Sequence, residues 1–594
     1  MHEPILGIDL SDRQLAGVVM RGKGERMQRL AATALEGPAI VHVDAAGLVR
    51  VGHDARARSV SDPDGAAARL VHALGLARTV PSDDAALLSL PQPRLDATGP
   101  QLGIRGAEWS VTALVACLLA RLRQGASDWI GRSIGVASIA YPTWYGATAR
   151  ERVALAARAA GFEQVHTLPA AAAIATALHD SGARGTVGLV EHESASVGAA
   201  LIDLSDEAIE LERMGGRVAG LGDDLLVRMM RFLAAPFEGE LILDAGMRPR
   251  SVARLRAACE DGLARLRSQP KVPTRVTVPY LALTAAGPRH LDVEVDGDRL
   301  RELARPLLGA FEEELASVLK GTAPDRVSRW QVVGGAPSIT FVAQALRARA
   351  AREVRIDPDR TPWGAVGACL HGARREGDVP DVFLLQVAPH AIGVRNPDGG
   401  VLRFVDRFAP LPATVSGPYP VSALGRQPVE LIEGEVDRAE LGASLASFRM
   451  ASDSGPRNDF RRVELVVEAS TDGRLAVGVR APGSLETAAL ERLEGAVPAL
   501  ADITHELDRL LESQRGHEGL LRARWMLDGQ LLTTARILGE GRLRGNAASE
   551  RDLGVAMERA RSALASADLE RIQHAARALA PWLRSSATPE VLSS

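Results

Sequence analysis

The stretch Asp381-Val382-Phe383-Leu384-Leu385-Gln386-Val387 separates two parts of the chain that have different sequence patterns. Before it, short segments rich in β-branched residues alternate with Ala-rich segments of helical spacing, which is typical of an α/β domain. After it, short alternating segments are separated by turn residues such as Gly399-Gly400 and Asp472-Gly473. That second pattern is typical of an all-β module of about 100 residues, the size of a β-sandwich. The stretch itself fits either an interdomain linker or a buried apolar strand.

The periodicity of the apolar residues predicts the main helices and strands. In the α/β part we expect an N-terminal hairpin, four further strands and three helices, over residues 5–10, 15–20, 134–141, 147–160, 186–190, 197–203, 251–267, 330–333 and 340–351. The chain after the all-β module is predicted to be helical, because apolar residues recur at three- and four-residue steps from Leu490 to Leu510 and again from Leu553 to Leu579. Pro498 is expected to kink or break the first of these stripes.

The composition excludes several classes of function. The 594 residues include 70 basic and 74 acidic ones, and this balance argues against a nucleic-acid partner. Cys117, Cys259 and Cys369 lie far apart, so they give neither a disulfide framework nor a zinc-ligand spacing. The longest apolar run, residues 111–122, is shorter than the about 20 residues that span a bilayer, and the N-terminus has no signal-peptide pattern. The sequence therefore predicts a soluble, cytoplasmic protein with no membrane partner.

A series of short motifs follows in a fixed order along the chain. They are Gly7-Ile8-Asp9-Leu10, Tyr141-Pro142-Thr143-Trp144-Tyr145 followed by Arg150, Val333-Gly334-Gly335, Val366-Gly367-Ala368, the stretch 381–387 with Pro389, and VELIEGE at 429–435. In order and spacing they resemble the seventy-kilodalton heat-shock (DnaK-type) chaperones over nearly the whole chain. The resemblance implies an α/β actin-like (ribonuclease-H-like) two-lobed nucleotide-binding domain over 1–376, a linker over 377–388, an all-β sandwich that binds peptide over 389–483, and an α-helical lid over 484–594.

The resemblance also implies a site for ATP or ADP with magnesium. In this family, backbone N–H groups of glycine-rich turns approach the phosphates closely, because no Cβ fits there. Asp9 matches the aspartate that takes part in catalysis and holds the hydrated magnesium ion. The matching nucleotide-binding residues are Gly7, Asp9, Ser11, Arg13, Ser196, Glu260, Gly334 and Gly335. Simpler interpretations stay open for two of these sites, since Ser11-Asp12-Arg13 also fits an ordinary type I turn and Glu260 also fits a solvated helix residue.

At several positions the sequence departs from the family pattern. The second phosphate loop reads Glu191-His192-Glu193-Ser194-Ala195-Ser196, where the family has Asp-Leu-Gly-Gly-Gly-Thr. The change removes three glycines and places carboxylates where a polyanion would rest, which disfavours ATP. His72 stands at the position of the family's catalytic lysine, and Leu168 stands at that of its glutamate. The three lysines of the chain lie elsewhere, at Lys23, Lys271 and Lys320. We therefore expect ATP hydrolysis to be weak or lost while ATP binding stays possible, so whether the chain is an enzyme is left open.

The elements that couple the domains in the family match more closely. Pro142 and Arg150 match its proline switch and the arginine that senses that switch. Val382, Leu384 and Leu385 match the apolar positions of its linker. The resemblance therefore implies that signalling between the domains is retained.

Two valines of the all-β module, Val394 and Val429, match the peptide-binding region of the family, although a valine on a strand is equally an ordinary core residue. The family binds extended apolar peptides there through strand-like main-chain contacts. The expected function is that of a chaperone in protein folding, whose partners are unfolded or extended polypeptides and co-chaperones. The alternative is a non-catalytic scaffold or adaptor that uses the same architecture to bind a specific folded partner.

Overall fold

The computed structural model describes most of the chain. The described residues are 3–11, 15–20, 37–76, 93–96, 98–193, 196–217, 221–237, 248–269, 272–284, 287–323, 325–334, 339–349, 353–357, 362–420, 428–449, 462–493, 497–512, 547–564 and 568–585, with a few more between 519 and 534. Within these ranges, no helix is both long and apolar enough to cross a membrane.

The elements of the described residues alternate between strands and helices up to residue 375 and then become mostly strands. The strands are β1 Ile5–Asp9, β2 Ala16–Met20, β3 Val41–Val43, β4 Val49–Val51, β5 Ala66–Ala67, β6 Arg94–Asp96, β7 Gly99–Ile104, β8 Ala107–Ser110, β9 Val136–Tyr141, β10 Gln164–Pro169, β11 Gly185–His192, β12 Val197–Leu204, β13 Ala208–Arg217, β14 Thr274–Thr284, β15 Gly287–Val295, β16 Arg329–Val333, β17 Val354–Asp357, β18 Phe383–Val387, β19 Ile392–Arg395, β20 Val401–Val405, β21 Pro410–Leu411, β22 Ala413–Pro420, β23 Val429–Glu433, β24 Ala443–Arg449, β25 Arg462–Ala469, β26 Leu475–Arg480, β27 Ala488–Ala489 and β28 Glu491–Leu493. The helices are α1 Gly52–Ser61, α2 Leu70–Gly75, α3 Val111–Ile130, α4 Ala147–Ala159, α5 Ala170–Asp180, α6 Leu221–Ala234, α7 Arg248–Ser268, α8 Gly297–Ala304, α9 Leu308–Leu319, α10 Ile339–Arg349, α11 Trp363–Arg375, α12 Leu500–Glu512, α13 Ala547–Leu564 and α14 Leu569–Ser585.

The first lobe is built around a four-stranded sheet with the order β10-β9-β1-β2. β1 pairs antiparallel with β2 and parallel with β9, which confirms the predicted N-terminal hairpin. Leu6 and Ile8 of β1 face a core that contains α3, whereas Ile5 faces α11. Because both faces of this strand are covered, it reads as a continuous apolar run rather than an alternating one. The predicted strand at 134–141 and helix at 147–160 are confirmed as β9 and α4.

The second lobe contains a seven-stranded sheet with the order β17-β16-β11-β12-β13-β18-β21. The strand pair predicted at 186–190 and 197–203 is confirmed as the antiparallel pair β11 and β12. The predicted strand at 330–333 is confirmed as β16, which pairs in parallel with β11. The helices predicted at 251–267 and 340–351 are confirmed as α7 and α10.

Helices α5 and α11 pack against each other and connect the two lobes. α11 also contacts β1 and β9 of the first lobe, whereas α5 contacts β12 and β13 of the second. The approach is close because α5 is rich in alanine and α11 carries Gly367, where a Cβ atom would overlap with the carbonyl oxygen of Ala173. The cleft that holds the candidate site lies next to this helix pair, since Asp9 ends β1 beside the first turn of α11.

The stretch at 381–387 forms strand β18 at the side of the second-lobe sheet. It pairs in parallel with β13, with Leu384 opposite Ile209, and antiparallel with the short strand β21. The all-β prediction for the following residues is confirmed by two sheets, with the orders β20-β19-β23-β24-β28 and β22-β25-β26-β27. Apolar residues from both sheets, among them Leu431 and Leu465, form one buried core between them.

The helical prediction that started at Leu490 is wrong for its first residues. Glu491–Leu493 forms β28, which pairs with β24, and Ala488–Ala489 forms β27, which pairs with β26. The three-residue step from Leu490 to Leu493 matched helical spacing by coincidence, because these residues complete the edges of the two sheets. The helix begins at Leu500, after Pro498. The second apolar stripe is confirmed as two helices, α13 and α14, that pack against each other.

Candidate functional site

The site is centred on the ends of β1 and β11, where the sequence predicts the first two phosphate loops. Asp9 is the last residue of β1, and its carboxylate lies against the first turn of α11. A Cβ on Gly364 would overlap with this carboxylate, so the approach requires glycine at that position. Burial, with a smaller contribution from the charge of Glu191, raises the pKa of Asp9 from its ordinary value of 3.8 to about 7.

A second carboxylate, that of Glu191, is buried near the end of β11. The Thr143 hydroxyl donates a hydrogen bond to Glu191 Oε2 at 2.6 Å, and the Thr143 backbone N–H lies 3.4 Å from the same oxygen. Thr143 Oγ1 in turn accepts a hydrogen bond from the Ala171 N–H, at 3.1 Å, at the start of α5. Burial raises the pKa of Glu191 to about 7, against the hydrogen bonds from Thr143, which lower it. Burial thus favours the protonated form of both the Asp9 and the Glu191 carboxyl, because it raises the pKa of each.

A third carboxylate, that of Glu193, bridges the two loops. The Ser11 hydroxyl donates a hydrogen bond to Glu193 Oε2 at 2.8 Å, which ties the β1–β2 loop to the β11–β12 loop. The Glu193 N–H donates a hydrogen bond to the Ser196 carbonyl oxygen at 3.0 Å. Ser11 and Ser196, both predicted to bind nucleotide, are buried. The Ser11 hydroxyl is therefore engaged by a carboxylate of this chain at the place where the sequence predicts a phosphate.

The glycines predicted to bind nucleotide fall into different surroundings. Gly334 has a φ of +129°, and a Cβ there would overlap with the backbone of His192, so the third loop packs directly on the second. Gly7 lies within β1, where a Cβ would overlap with the carbonyl oxygen of Ala365 in α11. Gly335 and Arg13 lie outside the described residues. For Gly7 and Gly334, close packing between segments of this chain is sufficient reason for glycine.

His72, at the predicted lysine position, lies in α2. Burial, together with the charge of Arg69, lowers the pKa of His72 to about 3. Its ring centroid lies 5.8 Å from that of Trp144. The imidazole is therefore neutral at physiological pH and supplies no positive charge. Leu168, at the predicted glutamate position, is fully buried in an apolar cluster.

Glu260, predicted to contact adenosine, takes part in an ion pair that joins two helices. Its Oε2 lies 2.7 Å from Arg56 Nη2 of α1, and its Oε1 lies 3.8 Å from Arg256 Nε on its own helix α7. Because α1 belongs to the first lobe and α7 to the second, this pair spans the two lobes. A contact with adenosine remains a prediction.

The arrangement of charge decides whether magnesium triphosphate fits these residues. Asp9, Glu191 and Glu193 bring three carboxyl groups to two adjacent loops, where Glu191 is buried and the other two are partly buried. A carboxylate removed from water repels the oxygens of a polyphosphate strongly. In the part of the chain that the structure describes, no cluster of three His, Cys, Asp or Glu residues can hold a metal ion. Acidic side chains therefore lie on the two loops at which the resemblance implies the phosphates of ATP.

The segment after β9 reaches from the site to the β-sandwich. Thr143 holds Glu191, and the carbonyl oxygen of the next residue, Trp144, lies 3.3 Å from His390 Nε2 at the start of the sandwich. Arg150 Nε donates to the Tyr145 carbonyl oxygen at 3.3 Å, and the Arg150 side chain lies against Gly473 of the sandwich. The predicted signalling residues Pro142 and Arg150 thus belong to a segment that contacts both the site and the second domain. The sequence motif contained Thr143, but its bond to Glu191 was not predicted.

The predicted linker and peptide residues differ in exposure. Val382 and Leu384 are partly buried against the second-lobe core, whereas Leu385 is 47% exposed and its neighbour Phe383 is 71% exposed. Val394 and Val429 are buried in the core of the sandwich. Their surroundings in this arrangement are those of ordinary core residues, and a role in peptide binding remains a prediction.

Comparison with known protein families gives a match that covers most of the chain. The family model described as Hsp70 protein matches residues 5–491. The matched range contains both lobes, β18 and every strand of the sandwich except part of β28. The candidate site at Asp9, Glu191 and Glu193 lies within it.

Proposed function

The chain belongs to the Hsp70 family of chaperones, and from that membership we propose that it binds unfolded or extended polypeptide while its ATP hydrolysis is weak or lost. Members of the family generally bind ATP or ADP with magnesium, act on unfolded polypeptides and work with co-chaperones. The actin-like, two-lobed ATPase domain, the β-sandwich and the helical C-terminal part belong to this architecture. What distinguishes the chain is the chemistry of its nucleotide cleft.

The observation that carries the proposal is the hydrogen bond from Ser11 to Glu193. It places a side-chain carboxylate of this chain between the two loops that cradle phosphate in the family. The carboxyls of Asp9 and Glu191, whose pKa values are raised to about 7, add partial negative charge beside it at neutral pH, and the neutral His72 offers no compensating cation. Catalysis of phosphoryl transfer needs positive groups on the transferred phosphate, which these residues do not supply.

Binding of extended polypeptide is supported by the β-sandwich and by the position of α12. The two sheets present an antiparallel framework of the kind that binds peptides by main-chain contacts. Helix α12 contacts α3, α4 and β8 of the first lobe rather than the sandwich. We therefore take the sandwich as the binding unit, with α12 withdrawn from it.

We expect steady-state ATP turnover by the purified full-length chain to be at background. The physical reason is the set of three carboxyls at the phosphate position, which opposes triphosphate binding and offers no cation for the transition state. Phosphate release should be measured with Mg²⁺ for the wild type and for Asp9→Asn, and calorimetry should be run with Mg-ATP on the same samples. Equal, background rates in both proteins are expected. A robust rate that disappears in Asp9→Asn would show that the cleft is an active ATPase site.

A scaffold or adaptor is the second candidate, and the burial of Val394 and Val429 favours it. The two functions differ in what they bind. If the chain binds unfolded polypeptide, a short labelled apolar peptide will bind saturably in fluorescence anisotropy, and Mg-ATP will change its affinity less than twofold. A charge-rich peptide of equal length is the control. Failure of the apolar peptide to bind, with or without ATP, would reject the chaperone proposal in favour of the adaptor.

A further inference from the structure

Two helices of the first lobe begin at the surface that faces the C-terminal half of the chain. α3 begins after Ser110, and α4 begins after Gly146. The first N–H groups of a helix have no partner within the helix, and together they carry a partial positive charge. Gly146 offers no side chain to cap its helix. The α4 N-terminus therefore needs an acceptor from another part of the molecule.

Glu433 of the sandwich supplies that acceptor. The Ala147 N–H lies 3.3 Å from Glu433 Oε1 and 3.2 Å from Oε2, and the Glu433 residue is buried. A Cβ at position 146 would overlap with the same carboxylate, which would have to move to make space for it. The Glu433 carboxylate thus accepts a hydrogen bond from the first turn of α4, as an N-cap side chain ordinarily does, although it belongs to the second domain.

Glu506 of α12 makes the equivalent contact at α3. Its Oε2 accepts a hydrogen bond from the Ser110 N–H at 3.0 Å, while Ser110 Oγ accepts one from the Thr112 N–H at 3.2 Å. This is the pattern of a capping box, in which a glutamate accepts from the N-cap residue. Here the glutamate lies 396 positions away along the chain instead of three.

Further contacts surround the two caps. Arg492, at the edge of the sandwich, makes two hydrogen bonds to the carboxylate of Glu151 on α4, at 3.0 and 2.7 Å. Arg509 of α12 lies over the ring of Trp109, 4.9 Å from its centroid. The apolar face of α12 is part of the first-lobe core through Ile503, Leu507 and Leu510. Arg407, between β20 and β21, pairs with the buried Glu314 of the second lobe at 2.9 Å.

We propose that the β-sandwich and α12 remain docked on the first lobe without nucleotide, held by the carboxylates of Glu433 and Glu506 at the N-termini of α4 and α3. The contacts made by Glu433, Glu506 and Arg492 involve none of the cleft residues Asp9, Glu191 and Glu193, so their formation needs no ligand bound to those residues. The consequence is that α12 is kept away from the sandwich at all times, and polypeptide exchange is not gated by ATP. This inference deepens the proposed function. It rests on that function in one respect, namely that nucleotide binding in the cleft does not drive docking.

The experiment measures the distance between spin labels on the two units of the full-length chain. Labels at Arg132→Cys in the first lobe and at Leu485→Cys, a 94% exposed position, react selectively because Cys117, Cys259 and Cys369 are buried. Double electron–electron resonance of the wild-type background is expected to give one narrow distribution, the same with and without Mg-ATP. A broad distribution without nucleotide, or one that shifts on adding Mg-ATP, would overturn the proposal.

Charge reversal tests the two caps. Glu433→Lys combined with Glu506→Lys places cations on both helix N-termini, and the ratio of docked to undocked molecules is expected to fall by on the order of tenfold or more. Asp508→Lys, on the exposed side of α12, is the matched control and should leave the distribution unchanged. If the double reversal fails to fold by circular dichroism, Glu433→Gln with Glu506→Gln keeps the shape and should give a smaller shift in the same direction. An unchanged distribution in a folded double variant contradicts the proposal.

The distance measurement and the turnover assay fail independently. If the wild type is undocked without nucleotide but has background ATP turnover, the docking proposal is wrong and the proposed function is unaffected. If the wild type has robust ATP turnover and a distance distribution that Mg-ATP does not change, the proposed loss of hydrolysis is wrong and the docking proposal is unaffected.

Discussion

Gly367→Ala is expected to lower the free energy of unfolding by about 3 kcal/mol, because the added methyl group has no space. The Cβ would overlap with the Ala173 carbonyl oxygen, where α11 crosses α5 between the lobes. The obstacle is helix backbone, so no change of rotamer relieves it, and the two helices must separate. Alanine favours a helix over glycine by about 1 kcal/mol, so the overlap must outweigh that gain. Thermal unfolding by calorimetry should show a midpoint several degrees below that of the wild type.

Gly309→Ala is the matched control for this substitution. Gly309 is also a helical glycine, in α9, but a Cβ there would meet no atom within 4 Å. The same change is therefore expected to be neutral or to stabilise by up to about 1 kcal/mol, through helix propensity alone. Equal midpoints for Gly367→Ala and the wild type would mean that the lobes are not packed through α5 and α11 as described.

Local sequence pattern was sufficient to predict those elements that are continuous apolar runs, as in strands covered on both faces, or that repeat apolar residues at helical spacing. The hairpin of β1 and β2, the pair β11 and β12 and helix α4 all have such patterns, and their predicted bounds agree with the structure to within a few residues. The pattern was misleading at Leu490 and Leu493, because short edge strands carry too few residues to establish a period of two. Their pairing with β24 and β26 depends on sheets formed by distant parts of the chain.

The sequence predicted which residues form the candidate site, but not which hydrogen bonds join them. Motif order places Asp9, Glu191 and Glu193 on neighbouring loops, and the excess of carboxylates was evident from the residues alone. The bond from Ser11 to Glu193 joins residues 182 positions apart, and that from Thr143 to Glu191 joins residues 48 apart. Such pairs depend on how the lobes pack, which periodicity does not encode. The contacts of Glu433 and Glu506 also depend on domain packing, and in the sequence these two glutamates look like ordinary surface residues.

The raised pKa of Asp9 has a consequence for the pH dependence of stability. Burial raises the pKa of Asp9 from 3.8 to about 7, so between these values the folded protein holds a proton that the unfolded chain has released. Stability therefore falls as pH rises from about 4 to about 7, and the contribution of the protonated form is lost above that range. Asp9→Asn keeps the shape without the charge. At pH about 8, without nucleotide or divalent cation, it is expected to raise the free energy of unfolding by on the order of 3 kcal/mol.

The second carboxyl of the pair provides the control for this prediction. Because the charge of Glu191 is the smaller of the two causes that raise the pKa of Asp9, Glu191→Gln should bring that pKa down part of the way. Asp9→Asn should then stabilise the Glu191→Gln protein by less than it stabilises the wild type, a coupling that a double-mutant cycle at pH about 8 measures directly. Denaturant unfolding of the four proteins between pH 4 and 8 measures this coupling. It also shows whether the free energy of unfolding depends less on pH in Asp9→Asn than in the wild type. If Asp9→Asn instead destabilises the protein at pH 8, then Asp9 is ionised and favourably bound in the fold, and the cleft does not carry the uncompensated charge that excludes triphosphate.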